Sequence, residues 1–175
     1  MNSQTKKILV VGSLVIALLL FVPTNSNATE STIINFEVGA GGSPYLTAIP
    51  DAKGYWQIGF GSTWNYDANR WVQPGDTITE SQAYQWLRNE IHEKEILIDN
   101  LVTVPINANQ KRALVSLAYN IGSTKFSGST LLRLLNSGAD LQTVADQFDV
   151  WRMANGSVSP GLVQRRAMEK QIFLS

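Results

Sequence analysis

The chain has 175 residues, 44% of them hydrophobic, which suffices for one compact core and is short for two. It contains no cysteine, which excludes a disulfide framework, a thiolate metal site and thiol nucleophile chemistry. Fourteen basic and fourteen acidic residues are interspersed along it, without the basic stripe that nucleic-acid binding requires.

The N-terminus differs from the rest. Lys6 and Lys7 precede an uncharged apolar run from Ile8 to Val22, followed by a small, polar stretch from Pro23 to Ala28. The run of 15 residues is short for a membrane-spanning helix, and Ser26 and Ala28 give the small-x-small pattern of a signal peptidase site. Residues 1–28 are therefore expected to be an export signal and 29–175 a single domain. Cleavage after Ala28 leaves 12 basic and 14 acidic residues, a net charge of −2. Such a domain is not drawn to an anionic surface by its net charge. A retained or later-released membrane anchor is the alternative, and a buried N-terminal core helix a third.

Ser31 to Glu37 reads as one or two helical turns, with Ser31 or Thr32 as cap and Glu37 at the end. Val38 to Ser43 holds three glycines and reads as a flexible loop. Two short strands follow, Tyr45 to Ile49 and Tyr55 to Phe60, around a turn containing Asp51. Thr79 and Gln82 form a capping box for a helix reaching about Leu101, with Ala83, Leu87 and Ile91 on one face. Pro105 breaks the chain. Asn107 with Gln110 opens a second helix, whose apolar stripe through Leu114, Leu117 and Ile121 marks it as the central buried one, with Gly122 at its stop. A short helix spans Ser129 to Asn136. Asp140 caps another with Leu141, Val144, Ala145, Phe148 and Trp151 inward, ended by Asn155-Gly156. Ser159-Pro160 opens the last helix. The sum is a small β-lobe followed by a helical lobe, an α+β fold.

Two carboxylates are the chemically suggestive feature. Glycosidic bond cleavage uses one carboxyl group as proton donor and a second to activate water or attack the sugar. Glu37, beside apolar Phe36, suits the donor, because partial burial disfavours the charged form. Asp51, in a solvent-facing turn, suits the ionised, water-orienting role. Spacing alone leaves both as an ordinary helix end and an ordinary turn residue.

The stretch FE…YLTAIPDAKGYWQIGFGST resembles the signature of the phage-type lysozymes, glycoside hydrolase family 24, which runs glutamate, aspartate, then threonine in TIGxGHT. Three further blocks follow in order: ITESQAYQWL, ALVSLAYNIGSTKFSGSTLLRLLNSG, and Trp151 with GLVQRRAMEKQIF. The likeness covers residues 33–174. It implies a lysozyme-like α+β fold and a muramidase that cuts the β-1,4 bond between N-acetylmuramic acid and N-acetylglucosamine, without a cofactor or metal. Glu37 then maps to the catalytic acid and Asp51 to the aspartate, with inversion by water as the family's usual outcome. Gln57 occupies the threonine position and Ser62 the histidine position. Thirteen residues separate Glu37 from Asp51, more than the family's usual spacing.

Tyr45 and Trp56 offer faces for sugar rings, and Asn120 matches a family position near the cleft. Arg165 and Arg166 match the family's arginine pair, one bracing the acid or the lobe interface, with a surface charge as the alternative. His92, without a second histidine or a cysteine nearby, reads as solvated. The expected partner is the peptidoglycan glycan strand, met by a monomer that touches membrane only through its N-terminal segment. Two other readings remain open: a degenerate domain that binds glycan without cutting it, and a lytic transglycosylase using Glu37 alone.

Overall fold

A computed structural model describes residues 26–37, 42–51 and 53–175. The expected export segment, up to residue 25, and most of the glycine-rich loop, residues 38–41, lie outside the described residues. The order is α1 (Ser26–Glu37), β1 (Tyr45–Pro50), β2 (Trp56–Gly59), β3 (Trp64–Asn65), β4 (Arg70–Trp71), α2 (Glu80–Leu101), α3 (Ala108–Ile121), α4 (Ser123–Ser127), α5 (Thr130–Asn136), α6 (Leu141–Asp146), a 3-10 turn (Gln147–Trp151), β5 (Met153–Ala154), β6 (Ser157–Val158) and α7 (Pro160–Phe173). Three antiparallel strand pairs accompany the helices, β1 with β2, β3 with β4 and β5 with β6. This is the expected α+β architecture. No helix among the described residues is long and apolar enough to cross a membrane.

From α2 onward the helix starts written in the sequence are made as read. Thr79 and Asn107 each close a full capping box, with Gln82 and Gln110 reaching back to the cap backbone. Ser129, Asp140 and Ser159 also cap through their side chains. α3 is the central element: Ala113, Leu114, Val115, Leu117 and Ala118 are wholly buried, and α2 and α7 pack on either side of it.

Three expectations are corrected. α1 begins at Ser26, so Ser31 and Thr32 are inside the helix, and their hydroxyls bond back to the Asn27 and Ala28 carbonyls rather than capping it. Asn155-Gly156 does not end a helix. Both residues take positive φ, 51° and 78°, and form the tight turn joining β5 to β6, the conformation that Asn-Gly favours between two short strands. Leu141, expected inward, is 47% exposed because the helix it opens lasts only to Asp146 and then tightens into the 3-10 turn.

The β-lobe is held by polar clasps. Asp76 accepts both Arg70 terminal nitrogens at 2.7 and 2.9 Å, the Gln73 amide at 3.0 Å and the Asn65 amide at 3.2 Å, which holds its carboxyl far below the usual carboxylate range. The lobe docks on the helices through Glu90 of α2. Its carboxyl receives the Tyr66 hydroxyl at 3.3 Å and the Tyr119 hydroxyl at 2.9 Å, and Tyr119 also lies 3.2 Å from the Phe60 carbonyl. Burial raises the Glu90 carboxyl above its ordinary value, against the opposing pull of Ser62, Tyr119, Tyr66 and Lys94. Tyr119 has one hydroxyl proton for these two acceptors and so bridges Glu90 and the Phe60 carbonyl.

Truncating the centre of α3 should be expensive: Leu114→Ala is expected to cost about 3 kcal/mol, or roughly 6–12 °C in Tm for a chain of this size, measured by reversible thermal unfolding. Glu90 gives a pH signature. A carboxyl raised on folding contributes stability that is complete below its unfolded value and lost as pH rises through the folded one. Wild-type protein should therefore lose stability relative to Glu90→Gln as pH rises above the ordinary carboxylate range; parallel stability–pH curves for the two proteins would refute this.

Candidate active site

Glu37 is the last residue of α1, where the helix dipole is unfavourable to a negative charge. The structure supplies a cation there. Arg165 Nη1 lies 2.7 Å from Glu37 Oε1, and the same guanidinium stacks 4.7 Å from the centre of the Phe36 ring. The Glu37 side chain is 23% exposed, enough for its second oxygen to meet a ligand.

That second oxygen faces the β-lobe. A Cβ placed on Gly61 would stand 3.8 Å from Glu37 Oε2 and 3.8 Å from Gln57 Oε1. Gly61 has φ +97°, a conformation that L side chains rarely adopt, so a carboxylate and an amide oxygen converge over backbone that carries no side chain. Gln57 is placed by β2, where it pairs with Ile49 of β1. The next rung, Pro50 with Trp56, delivers the chain to Asp51. Asp51 Oδ1 accepts the Lys53 and Tyr55 amides, both at 2.8 Å, an Asx turn that fixes the side chain to its own hairpin. Among the described residues no bond is found to Oδ2, which is the oxygen left for water or substrate.

The structure thus brings Glu37 and Gln57 to one glycine and sets Asp51 at the adjoining hairpin tip. Of the remaining candidates, Tyr45 is 44% exposed at the start of β1, Trp56 is half-buried against the core, and Asn120 is exposed near the end of α3. Beside Gly61 a cavity of about 260 Å³ is lined by Ser62, Trp64, Tyr66, Glu90 and Tyr119, among others. Tyr119, raised well above the ordinary phenol value by burial and then by Glu90 and Glu37, stays neutral there. His92 is exposed, 3.8 Å from Glu95, and stands apart from these groups. Among the described residues no cluster of metal-ligating side chains occurs.

Sequence reading missed Glu90, Tyr119, Ser116 and Glu169. A signal was present for two of them. Glu90 lies seven residues after Ala83 and three after Leu87, on the apolar face of α2, and Glu169 lies between Leu162 and Phe173 on the inward face of α7. A charge at an inward helical position marks a buried partner.

The phage lysozyme family model matches residues 41–169 of this chain. An endolysin of Salmonella phage P22 is 42% identical over 130 residues, 74% of this chain and 87% of that protein. A SAR-endolysin of Enterobacteria phage P21 is 32% identical over 149 residues, 84% of this chain and 87% of that protein. A crystal structure of a P22 lysozyme mutant superposes with a TM-score of 0.70 at 36% identity, over 88% of this chain and 100% of that one. A muramidase domain from Asticaccaulis excentricus does so with a TM-score of 0.70 at 32% identity, over 85% of this chain and 95% of that one. With both lobes and nearly the whole described length accounted for, this chain belongs to the phage lysozyme family and is a peptidoglycan-hydrolysing muramidase.

Proposed function

We propose that this muramidase cleaves the β-1,4 bond between N-acetylmuramic acid and N-acetylglucosamine with Glu37 as the general acid and with Asp51 and Gln57 orienting the attacking water. The convergence of Glu37 Oε2 and Gln57 Oε1 over Gly61 carries this reading. Glu37 protonates the leaving oxygen as the glycosidic bond lengthens. On the other side of the sugar a water donates one hydrogen to the Gln57 amide oxygen and another to Asp51, which turns its lone pair to the anomeric carbon. Attack by that water, with its proton passing to Asp51, inverts the anomeric configuration and leaves a reducing end. Gln57, longer than threonine, reaches into space that the bare backbone of Gly61 leaves open. Tyr45 and Trp56 offer ring faces to the sugars and Asn120 an amide to their hydroxyl or acetamido groups.

Residues 1–28 serve, in this proposal, as the export segment that brings a monomeric 29–175 domain to the wall. α1 spans the expected cut, so cleavage after Ala28 removes its first three residues and the carbonyls that Ser31 and Thr32 bond. The helix then begins at Thr29, itself wholly buried.

Purified protein should release muropeptides with reducing ends, read by mass spectrometry after borohydride labelling. Anhydro ends would instead mean a transglycosylase, and no product a binding domain. Glu37→Gln should lower release by about 100-fold or more, and Asp51→Asn should lower kcat with KM little changed. Protein recovered after export should begin at Thr29; a population that begins at Met1 and stays with membranes would replace cleavage by anchoring.

A further inference from the structure

The inward face of α7 is charged where an apolar stripe is expected. Leu162, Arg165, Arg166, Glu169 and Phe173 follow helical spacing, yet Arg165 is 4% exposed and Arg166 and Glu169 are 0% exposed. Ions are buried this deeply only when paired and hydrogen-bonded. The pairing has one centre. Glu169 Oε1 receives the Ser116 hydroxyl at 2.6 Å, Arg166 Nη2 at 3.0 Å and Arg165 Nε at 3.1 Å, while Arg166 Nε lies 2.8 Å from Oε2. Arg165 is thereby held on three sides: Nε on Glu169, Nη2 on the Ser116 carbonyl at 3.3 Å, and Nη1 on Glu37 at 2.7 Å.

The charges in this cluster bear directly on a proton donor. With Glu37 protonated, two arginines face one carboxylate, a net of +1; removing the Glu169 charge would leave +2 beside the acid. A surplus of positive charge favours the ionised carboxylate, which has no proton to give. The other titratable groups near Glu37 do not restore the balance. Tyr119 on α3 is neutral, Glu90 on α2 is reached only through Tyr119, and the β-lobe presents the uncharged Gln57 and Gly61.

We propose that Glu169 is a positioning residue of the hydrolysis: its buried carboxylate orients Arg165 and lowers the positive charge beside Glu37 from +2 to +1. The inference rests on the reading of Glu37 as the proton donor. Ser116 acts in the same arrangement as the neutral donor that keeps the Glu169 carboxylate aimed at both arginines. Burial pushes the Glu169 carboxyl up and the Arg166 guanidinium down to about 10, while the ion pairs and the Ser116 hydrogen bond oppose both shifts by favouring the charged forms.

The pH profile of kcat/KM tests it, because the alkaline limb reports the loss of the acid's proton. Glu169→Gln keeps an acceptor oxygen and removes the charge; it should move that limb to lower pH by about one unit, with kcat near neutral pH falling about 10-fold and KM unchanged. Arg166→Met removes a cation instead and should move the limb the opposite way, and the double variant should return it close to wild type. An unmoved limb in folded Glu169→Gln, or a shift of both single variants in the same direction, would overturn the proposal. Should Glu169→Gln fail to fold by circular dichroism, the double variant is compared with Arg166→Met: a limb at lower pH in the double variant supports the role, and equal limbs overturn it. The underlying reading fails separately: Glu37→Gln with full activity removes the proton donor, whereas inactive Glu37→Gln beside an unmoved Glu169→Gln profile removes only the role of Glu169.

Discussion

A carboxylate at the C-terminal end of a helix needs a cation, and the pairing of Glu37 with Arg165 organises this molecule. The two residues are 128 positions apart, one ending the first helix and the other inside the last. For the contact to form, α7 must lie across the end of α1 with Arg165 turned inward, and both helices pack on α3. Turning a guanidinium inward exposes it to desolvation, which the Phe36 ring, the Ser116 carbonyl and Glu169 offset. The Glu37 carboxylate thus accounts for a chain of buried polar residues that packing alone would have replaced with leucines. Their lengths and hydrogen-bond angles then fix where α7 sits more closely than an apolar interface would, since a greasy face tolerates sliding and a bonded guanidinium does not.

The β-lobe is positioned by a different device. It has little core of its own, and its strands are two to six residues long. Two short hairpins with at most one buried side chain per strand are not stable alone. The lobe is therefore tied by Asp76 within itself and by Glu90, Tyr66 and Tyr119 to α2 and α3. The Tyr119 hydroxyl also anchors the Phe60 carbonyl, one residue before Gly61, so the tie that docks the lobe also sets the floor over which Glu37 and Gln57 meet.

What was legible in the sequence was local. Capping boxes at Thr79 and Asn107, the stop at Gly122 and the proline entry at Ser159 involve residues within four positions of one another, and such signals do not depend on the rest of the fold. The central helix declared itself by its unbroken apolar stripe. The misreadings share a cause. Asn155-Gly156 suits both a helix stop and a hairpin turn, and the choice fell to strands only two residues long. Serine and threonine commonly cap helices, but at Ser31 and Thr32 the helix has already begun. Glu90 and Glu169 look like surface charges to any composition rule, and only their phase against neighbouring leucines gives them away. The meeting of Glu37, Gln57 and Arg165 is long-range and had no local signature; the family resemblance named the residues without supplying the geometry.

The long connection between the two proposed catalytic carboxylates is a smaller obstacle than it looks. Asp51 does not take its position from the chain that leads to it. Its Asx turn, the rung from Ile49 to Gln57 and the rung from Pro50 to Trp56 fix it relative to Gln57 from the far side of the hairpin. Glu37 takes its position from α1 and Arg165. The intervening residues have only to close a gap between two ends already held, and loop-closure entropy grows so slowly that doubling a flexible loop costs about 0.6 kcal/mol. The spacing of the carboxylates in space is therefore set by the hairpin register and the Glu37 to Arg165 contact, and their spacing in sequence is free to drift.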